Sequence, residues 1–241
     1  MTASLPVLTF HAFDERPSPI SYPPPLFRRA VAALHGGGWR TVRLSEAARL
    51  LAAGAPPPEK TLAITIDDGY RSTLDVALPA LREHGLTATV FVVTDRPAMH
   101  GRPLMTPPEW RLLHENGLEL GAHTRSHPML PTLGDADVER EVLGSKLRIE
   151  DAVGAAVPAF AYPAGRFDER VRGIVAPHFA CACSTRLAMA RPGGDPYALP
   201  RLDAHYLRHE RAFPRLDGAL LRGYLAGRAA LRALRRLPPA G

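Results

Sequence analysis

The chain has 241 residues, 46% of them apolar and 22% charged, which is enough to bury a full core and excludes wholesale disorder. Two cysteines, Cys181 and Cys183, are too few and too close together for a disulfide scaffold, and no apolar run approaches the roughly 20 residues of a membrane span. The formal net charge of +6 lies wholly in residues 201–241, where nine arginines meet three acids; the neutral body argues against a nucleic-acid partner.

The first residues lack the basic start and long apolar stretch of an export signal, which predicts a cytoplasmic protein. Residues 5–10 read as the first strand, and the proline-rich stretches 17–25 and 55–58 as loops. A second strand at 61–66 leads to a helix over 72–84 with Leu74, Leu78 and Leu81 on one face, stopped by Gly85. A strand at 87–93 precedes a helix over 107–116 that opens on Pro-Pro-Glu and stops at Gly117. A strand at 118–122 precedes a helix over 135–153 carrying Val138, Val142, Leu143, Leu147 and Ile149. Strands at 159–162, 179–184 and 199–202 follow. All seven strands are short and apolar without alternation, as strands covered on both faces are. The alternation predicts an α/β fold: a distorted, TIM-like (β/α) barrel of about seven parallel strands. The expected division is a barrel domain over 1–207 and a basic helical tail over 208–241, with no internal repeat.

The chemistry-bearing residues fall at strand ends. Asp67-Asp68-Gly69 closes the second strand. Alone it is a common surface turn, but at a strand end one carboxylate of the pair can ligate a metal while the other faces substrate. His123 and His127 follow the fourth strand at i and i+4, a spacing that lets two imidazoles grip one ion. Parallel strands put such ends on one rim, so two histidines and one carboxylate form a three-ligand site with open positions. That is the pattern of catalytic zinc or a related divalent ion. Phe160 to Gly165 closes the fifth strand in a tight loop whose backbone N–H groups can face an oxyanion. His11 ends the first strand, and Arg201 and Asp203 lie on the last.

Thr65-Ile66-Asp67-Asp68-Gly69-Tyr70 resembles the first motif of the polysaccharide deacetylases, the NodB-homology family of metal-dependent carbohydrate esterases. His123 to His127 resembles its H-[ST]-x-x-H second motif, and Phe160 to Gly165 its third. The resemblance implies hydrolysis of N-acetyl, or O-acetyl, groups on a polysaccharide or sugar intermediate. It implies Asp67 as general base and Asp68, His123 and His127 as ligands of one divalent ion, zinc first, with cobalt, nickel, manganese or iron as alternatives. The Ala164 N–H would hold the oxyanion. Two positions depart from the family pattern: Ala161 and Ala164 stand where many members have arginine and tyrosine. Arg201 is then the nearest candidate to steady the base. In the branch similar to the permuted poly-N-acetylglucosamine deacetylases, the proton donor lies on the first strand, which points to His11; His205 and His209 are its rivals.

Two other readings fit parts of the sequence: a non-catalytic carbohydrate-binding member, and an amidase acting on a non-sugar C–N bond. In the tail, Leu216, Leu220, Tyr224, Leu231 and Leu234 recur at mostly helical spacing between arginines. This predicts a terminal helix packing its apolar stripe on the barrel, with contact to an anionic membrane as the alternative.

Overall fold

The computed structural model describes residues 4–208 and 210–234. His209 and the tail from Arg235 onward lie outside the described residues, as do the side chains at 210, 211, 222 and 232–234. In chain order the elements are β1 (Val7–Phe10), α1 (Pro24–Gly36), β2 (Arg40–Val42), α2 (Leu44–Ala52), β3 (Thr61–Ile66) and α3 (Leu78–Glu83). Then come β4 (Thr89–Val92), a small hairpin of β5 (Ala98–Met99) and β6 (Arg102–Pro103), α4 (Pro107–Glu115), β7 (Glu119–Ala122) and α5 (Asp135–Val153). The chain closes with β8 (Ala159–Ala161), α6 (Glu169–Val175), β9 (Cys181–Cys183), β10 (Leu202–Asp203) and α7 (Ala219–Leu234).

Seven parallel strands run in the order β10-β1-β3-β4-β7-β8-β9. Leu199 bridges Cys183 of β9 three residues before Leu202 pairs with Leu8 of β1, so the sheet curls back on itself into the expected barrel. These are the seven strands the sequence predicts. Every residue of β1, β3, β4 and β7 is buried, which explains the missing alternation. The two faces nonetheless differ. Leu8, Phe10, Leu62, Ile64, Ile66, Val90, Val92, Leu120 and Phe160 pack outward under the helices. Val7, Ala63, Phe91, Ala159, Ala161, Cys181 and Cys183 form a separate inner cluster with Leu44, Ala47, Ala48 and Leu51 of α2. Helix α2 thus plugs the end where the strands begin, with Leu44 N–H donating to Thr89 Oγ1 (2.9 Å) and Ser45 to the buried Glu119 carboxylate.

Three elements go beyond the sequence reading. Helix α1 begins inside the proline-rich stretch read as a loop, because Pro24 and Pro25 occupy its first turn, where the missing N–H costs nothing. Strand β2 pairs with the start of β3, and α2 follows it directly. The helix expected over 72–84 is interrupted. A π turn covers Thr73–Ala77 before α3, whose Pro79 lacks the N–H an unbroken ladder requires. Helix α4 has the capping box Thr106/Glu109, and α5 runs over the predicted residues to a left-handed Gly154, with Leu147 turned to solvent.

The tail packs differently from the predicted stripe. Phe213 and Leu216 are buried, and Trp39 Nε1 donates to the Pro214 carbonyl (3.2 Å). On α7 it is Leu225, flanked by the partly buried Leu221 and Ala229, that joins the core, while Leu220, Tyr224 and Leu231 face outward. Among the described residues, no helix is long and apolar enough to cross a membrane.

The inner face tolerates little added volume. A Cβ at Gly121 would stand 2.4 Å from the Phe91 ring, which fills the barrel beneath the rim. We expect Gly121→Ala to lower stability by about 1–3 kcal/mol in denaturant unfolding. Gly173→Ala, in α6 with open space around it, should leave stability unchanged or raise it slightly.

Candidate active site and metal centre

The ends of β3 and β7 meet at one rim. Asp68 sits in the left-handed region (φ 71°) and is followed by Gly69 (φ 77°), so the chain turns sharply after β3. Asp67 continues the inward face of the strand while Asp68 turns toward the histidines. His123 follows β7; Thr124 (φ 68°) and His127 (φ 61°) fold the loop back, with His127 N–H donating to Thr124 Oγ1 (3.0 Å). Asp68 Oδ1 lies 3.4 Å from His123 Nε2 and 3.6 Å from His127 Nε2. One donor atom from each of the three lies within 4.8 Å of the others. The i, i+4 spacing therefore works through a loop rather than the helical turn the sequence suggests.

These residues fit a divalent ion. His123 Nδ1 donates to the Ala161 carbonyl (2.7 Å), so Nε2 is the nitrogen that faces Asp68: it donates to the carboxylate in the metal-free chain and can ligate an ion once it gives up that proton. Burial beside His123 holds the His127 imidazole down at about 4, so it is neutral and able to ligate at pH 7. Burial pushes the Asp68 carboxyl up, but the His123 hydrogen bond and the neighbouring imidazoles outweigh it and hold the group well below the ordinary carboxylate range. Burial likewise depresses His123, yet the adjacent Asp67 and Asp68 charges leave it above the ordinary histidine value in the metal-free chain.

Asp67 has a different environment. Arg201 clamps it in a two-pronged ion pair, Nη1 to Oδ1 and Nη2 to Oδ2, both at 2.7 Å. The guanidinium has further partners: Nε donates to the Ser184 carbonyl (3.0 Å), Nη1 also donates to Thr65 Oγ1 (3.2 Å), and the group lies 5.9 Å from the Phe91 ring centroid. Burial raises the Asp67 carboxyl, but the Arg201 charge prevails and holds it ionised. On the other side His11 Nε2 lies 3.8 Å from Asp67 Oδ2, and the His11 side chain is 25% exposed, open to an incoming molecule.

The remaining sequence candidates sort by distance. Ala164 occupies a strained left-handed position (φ 52°) on the loop after β8, next to Gly165 (φ 64°), whose missing side chain makes room for Thr185. Asp203 caps the turn after β10 by accepting from the His205 N–H (2.9 Å), and the exposed His205 ring meets Tyr206 edge to face. Among the described residues no contact joins His205 to Asp67 or Asp68; His209 lies outside the described residues. Sequence reasoning passed over Tyr70 and Arg102. The Tyr70 ring is buried beside Asp68 with its hydroxyl unpartnered, and Arg102, paired to Asp14 at 2.5 Å, lies 5.8 Å from that ring. The tyrosine closing the first motif was the available signal.

A curled parallel sheet with a carboxylate–imidazole cluster on its rim defines an α/β barrel whose rim could hold a metal ion, and comparison with known proteins specifies it further. The model of the family Polysaccharide deacetylase matches residues 54–178, and the chain belongs to that family. The Bacillus subtilis (strain 168) protein YxkH, whose name carries the same family, is 28% identical over 167 residues, covering 69% of this chain and 59% of its own length. Chitin deacetylase 1 of Cryptococcus neoformans var. grubii is 31% identical over 120 residues, 50% of this chain and 24% of its own. The chain thus spans well under two thirds of the length of these relatives. The fold is shared with the Streptococcus pyogenes deacetylase PplD in complex with acetate (TM-score 0.78, 23% identity, 84% of this chain and 93% of that one). It is shared also with IcaB from Ammonifex degensii (TM-score 0.76, 21% identity, 90% and 96%). His11 and Arg201 fall outside the matched stretch and meet Asp67 only in the folded chain.

Removing Arg201 strands a buried carboxylate, so Arg201→Met should cost about 3–5 kcal/mol in urea unfolding at neutral pH. Asp67→Asn in the same chain should restore part of that loss. Because the folded Asp67 is held below its unfolded value, its contribution is present at neutral pH and lost as pH falls through the folded value. The Arg201→Met penalty should therefore shrink in acid.

Proposed function

We propose that the protein hydrolyses acetyl amide groups on a glycan or sugar intermediate, with Asp68, His123 and His127 holding one divalent ion. The observation that carries this reading is the juxtaposition of two kinds of carboxylate on one rim. Asp68 faces two imidazole nitrogens, and Asp67, one residue earlier, faces Arg201 and His11. A pure binding site has no use for an ionised carboxylate beside a metal group and a half-open histidine. Zinc suits a donor set of two imidazoles and one carboxylate best, and when bound a divalent ion supplies Lewis-acid polarisation and acidifies water.

The chain's own residues then divide the work. Asp67, kept ionised by Arg201, accepts the proton of the attacking water. The N–H of Ala164, on its strained loop, is the proposed donor to the oxyanion. An amine leaves poorly as an anion, so a proton must reach the nitrogen; His11, within 3.8 Å of Asp67 and partly exposed, is placed to deliver it. Arg201 does for Asp67 what the arginine absent at position 161 does in many family members. The names of the curated relatives support an acetylated glycan as substrate.

The metal group is tested first. His123→Ala and Asp68→Ala should each abolish stoichiometric zinc binding in metal analysis, since two remaining donors hold an ion poorly. Asp67→Asn should keep the metal and lose about 10²–10⁴-fold in acetate release from N-acetylglucosamine oligomers. Full activity of that variant with metal bound would place the base elsewhere.

His11 is tested by leaving-group dependence. His11→Ala should keep the metal and slow acetamide substrates by at least about 10²-fold, while activated aryl acetates, whose leaving groups need no proton, are affected far less. Equal losses on both substrates would assign His11 a structural role.

A further inference from the structure

Helix α7 has two apolar faces, and the barrel uses only one. Leu225 is buried and Leu221 and Ala229 pack partly beside it. Beside them a pocket of about 630 Å³ opens between the helix and Leu187, Met189, Leu199 and Leu202. On the other side Leu220 is 91% exposed, Tyr224 48% and Leu231 51%. Positions i, i+4 and i+11 fall within about 40° of one another on a helix of 3.6 residues per turn, so these three form a single outward stripe. Two leucines and a tyrosine gain nothing from water there, and tyrosine suits a boundary that is apolar on one side and wet on the other.

The segment that carries this stripe has charge of one sign. From Ala219 to the end of the chain there are five arginines, at 222, 228, 232, 235 and 236, and no aspartate or glutamate. We propose that the outward face of α7 docks on an anionic lipid surface, with Leu220, Tyr224 and Leu231 toward the acyl region and the net positive charge of the segment drawing it to the headgroups. Charge complementarity selects this occupant over a second copy of the chain, whose segment carries the same positive charge. The inner face stays on the barrel, so docking requires no unfolding, and it holds the catalytic domain near lipid-linked material. The site chemistry proposed above is independent of it.

Flotation of the full-length protein tests this, with vesicles of phosphatidylglycerol and phosphatidylcholine in equal parts and with phosphatidylcholine alone. The protein should co-float with the anionic vesicles at least about tenfold better than with the neutral ones, and raising the salt should weaken binding. The double variant Leu220→Glu/Leu231→Glu touches only the outward stripe. It should keep the wild-type melting temperature and lose at least about tenfold of the flotation. Absence of flotation with anionic vesicles overturns the proposal, as does a double variant that floats like wild type. A wild-type dimer in light scattering that the double variant makes monomeric reassigns the stripe to a second copy.

Discussion

The buried pair of Asp67 and Arg201 joins the closure of the barrel to the assembly of its chemistry. Arg201 lies between Leu199, which bridges β9, and Leu202, which pairs with β1, so it sits on the segment that brings the two ends of the sheet together. From there its guanidinium crosses the barrel mouth to β3. Taking two charges out of water costs several kcal/mol each, and only near-ideal geometry offsets it. Here both prongs are at 2.7 Å, and Nε, Nη1 and the ring face all have further partners. The ionised state of this buried carboxylate thus depends on the segment that seals the fold.

Below that pair the barrel is built to hold it still. Thr65 takes an Arg201 N–H and donates to the Leu8 carbonyl, tying β3 to β1. Phe91 fits under the guanidinium because Gly121 leaves it room. At the opposite end α2 and Glu119 fill the space with hydrogen-bonded groups. Above it, by contrast, the backbone is strained: Asp68, Thr124, His127 and Ala164 all have positive φ, a conformation that costs of order 1–3 kcal/mol for residues with a side chain. Such strain persists where surrounding contacts over-determine it, and here it turns Asp68 and both histidines toward a common point.

Much of this was legible in the sequence. Seven apolar runs gave seven strands because a parallel sheet buries both faces of each strand, and that leaves a plain compositional signature. The cluster of Asp68, His123 and His127 was legible because its members follow two of those strands, and strand ends in parallel sheets share a rim. Elements whose cues conflict were not. Proline-rich 17–25 hides the start of α1, since the same residue marks loops and first helical turns. The short strand β2 is half exposed, with no apolar run to betray it. Pro79 splits a helix that its leucine periodicity presents as continuous.

What the sequence by itself determined are the features written in local periodicity and in adjacent residues: the strand order along the chain, Asp67 beside Asp68, and the histidine spacing. What only the tertiary structure decided are relations between residues far apart in the chain. Arg201 reaches Asp67 across 134 positions and His11 across 56, and neither distance leaves any trace in a window of sequence. The stripe of α7 shows the same limit from the other side: its apolar periodicity was readable, but the sequence carries two apolar faces, and which one the barrel covers depends on the shape of the wall it meets.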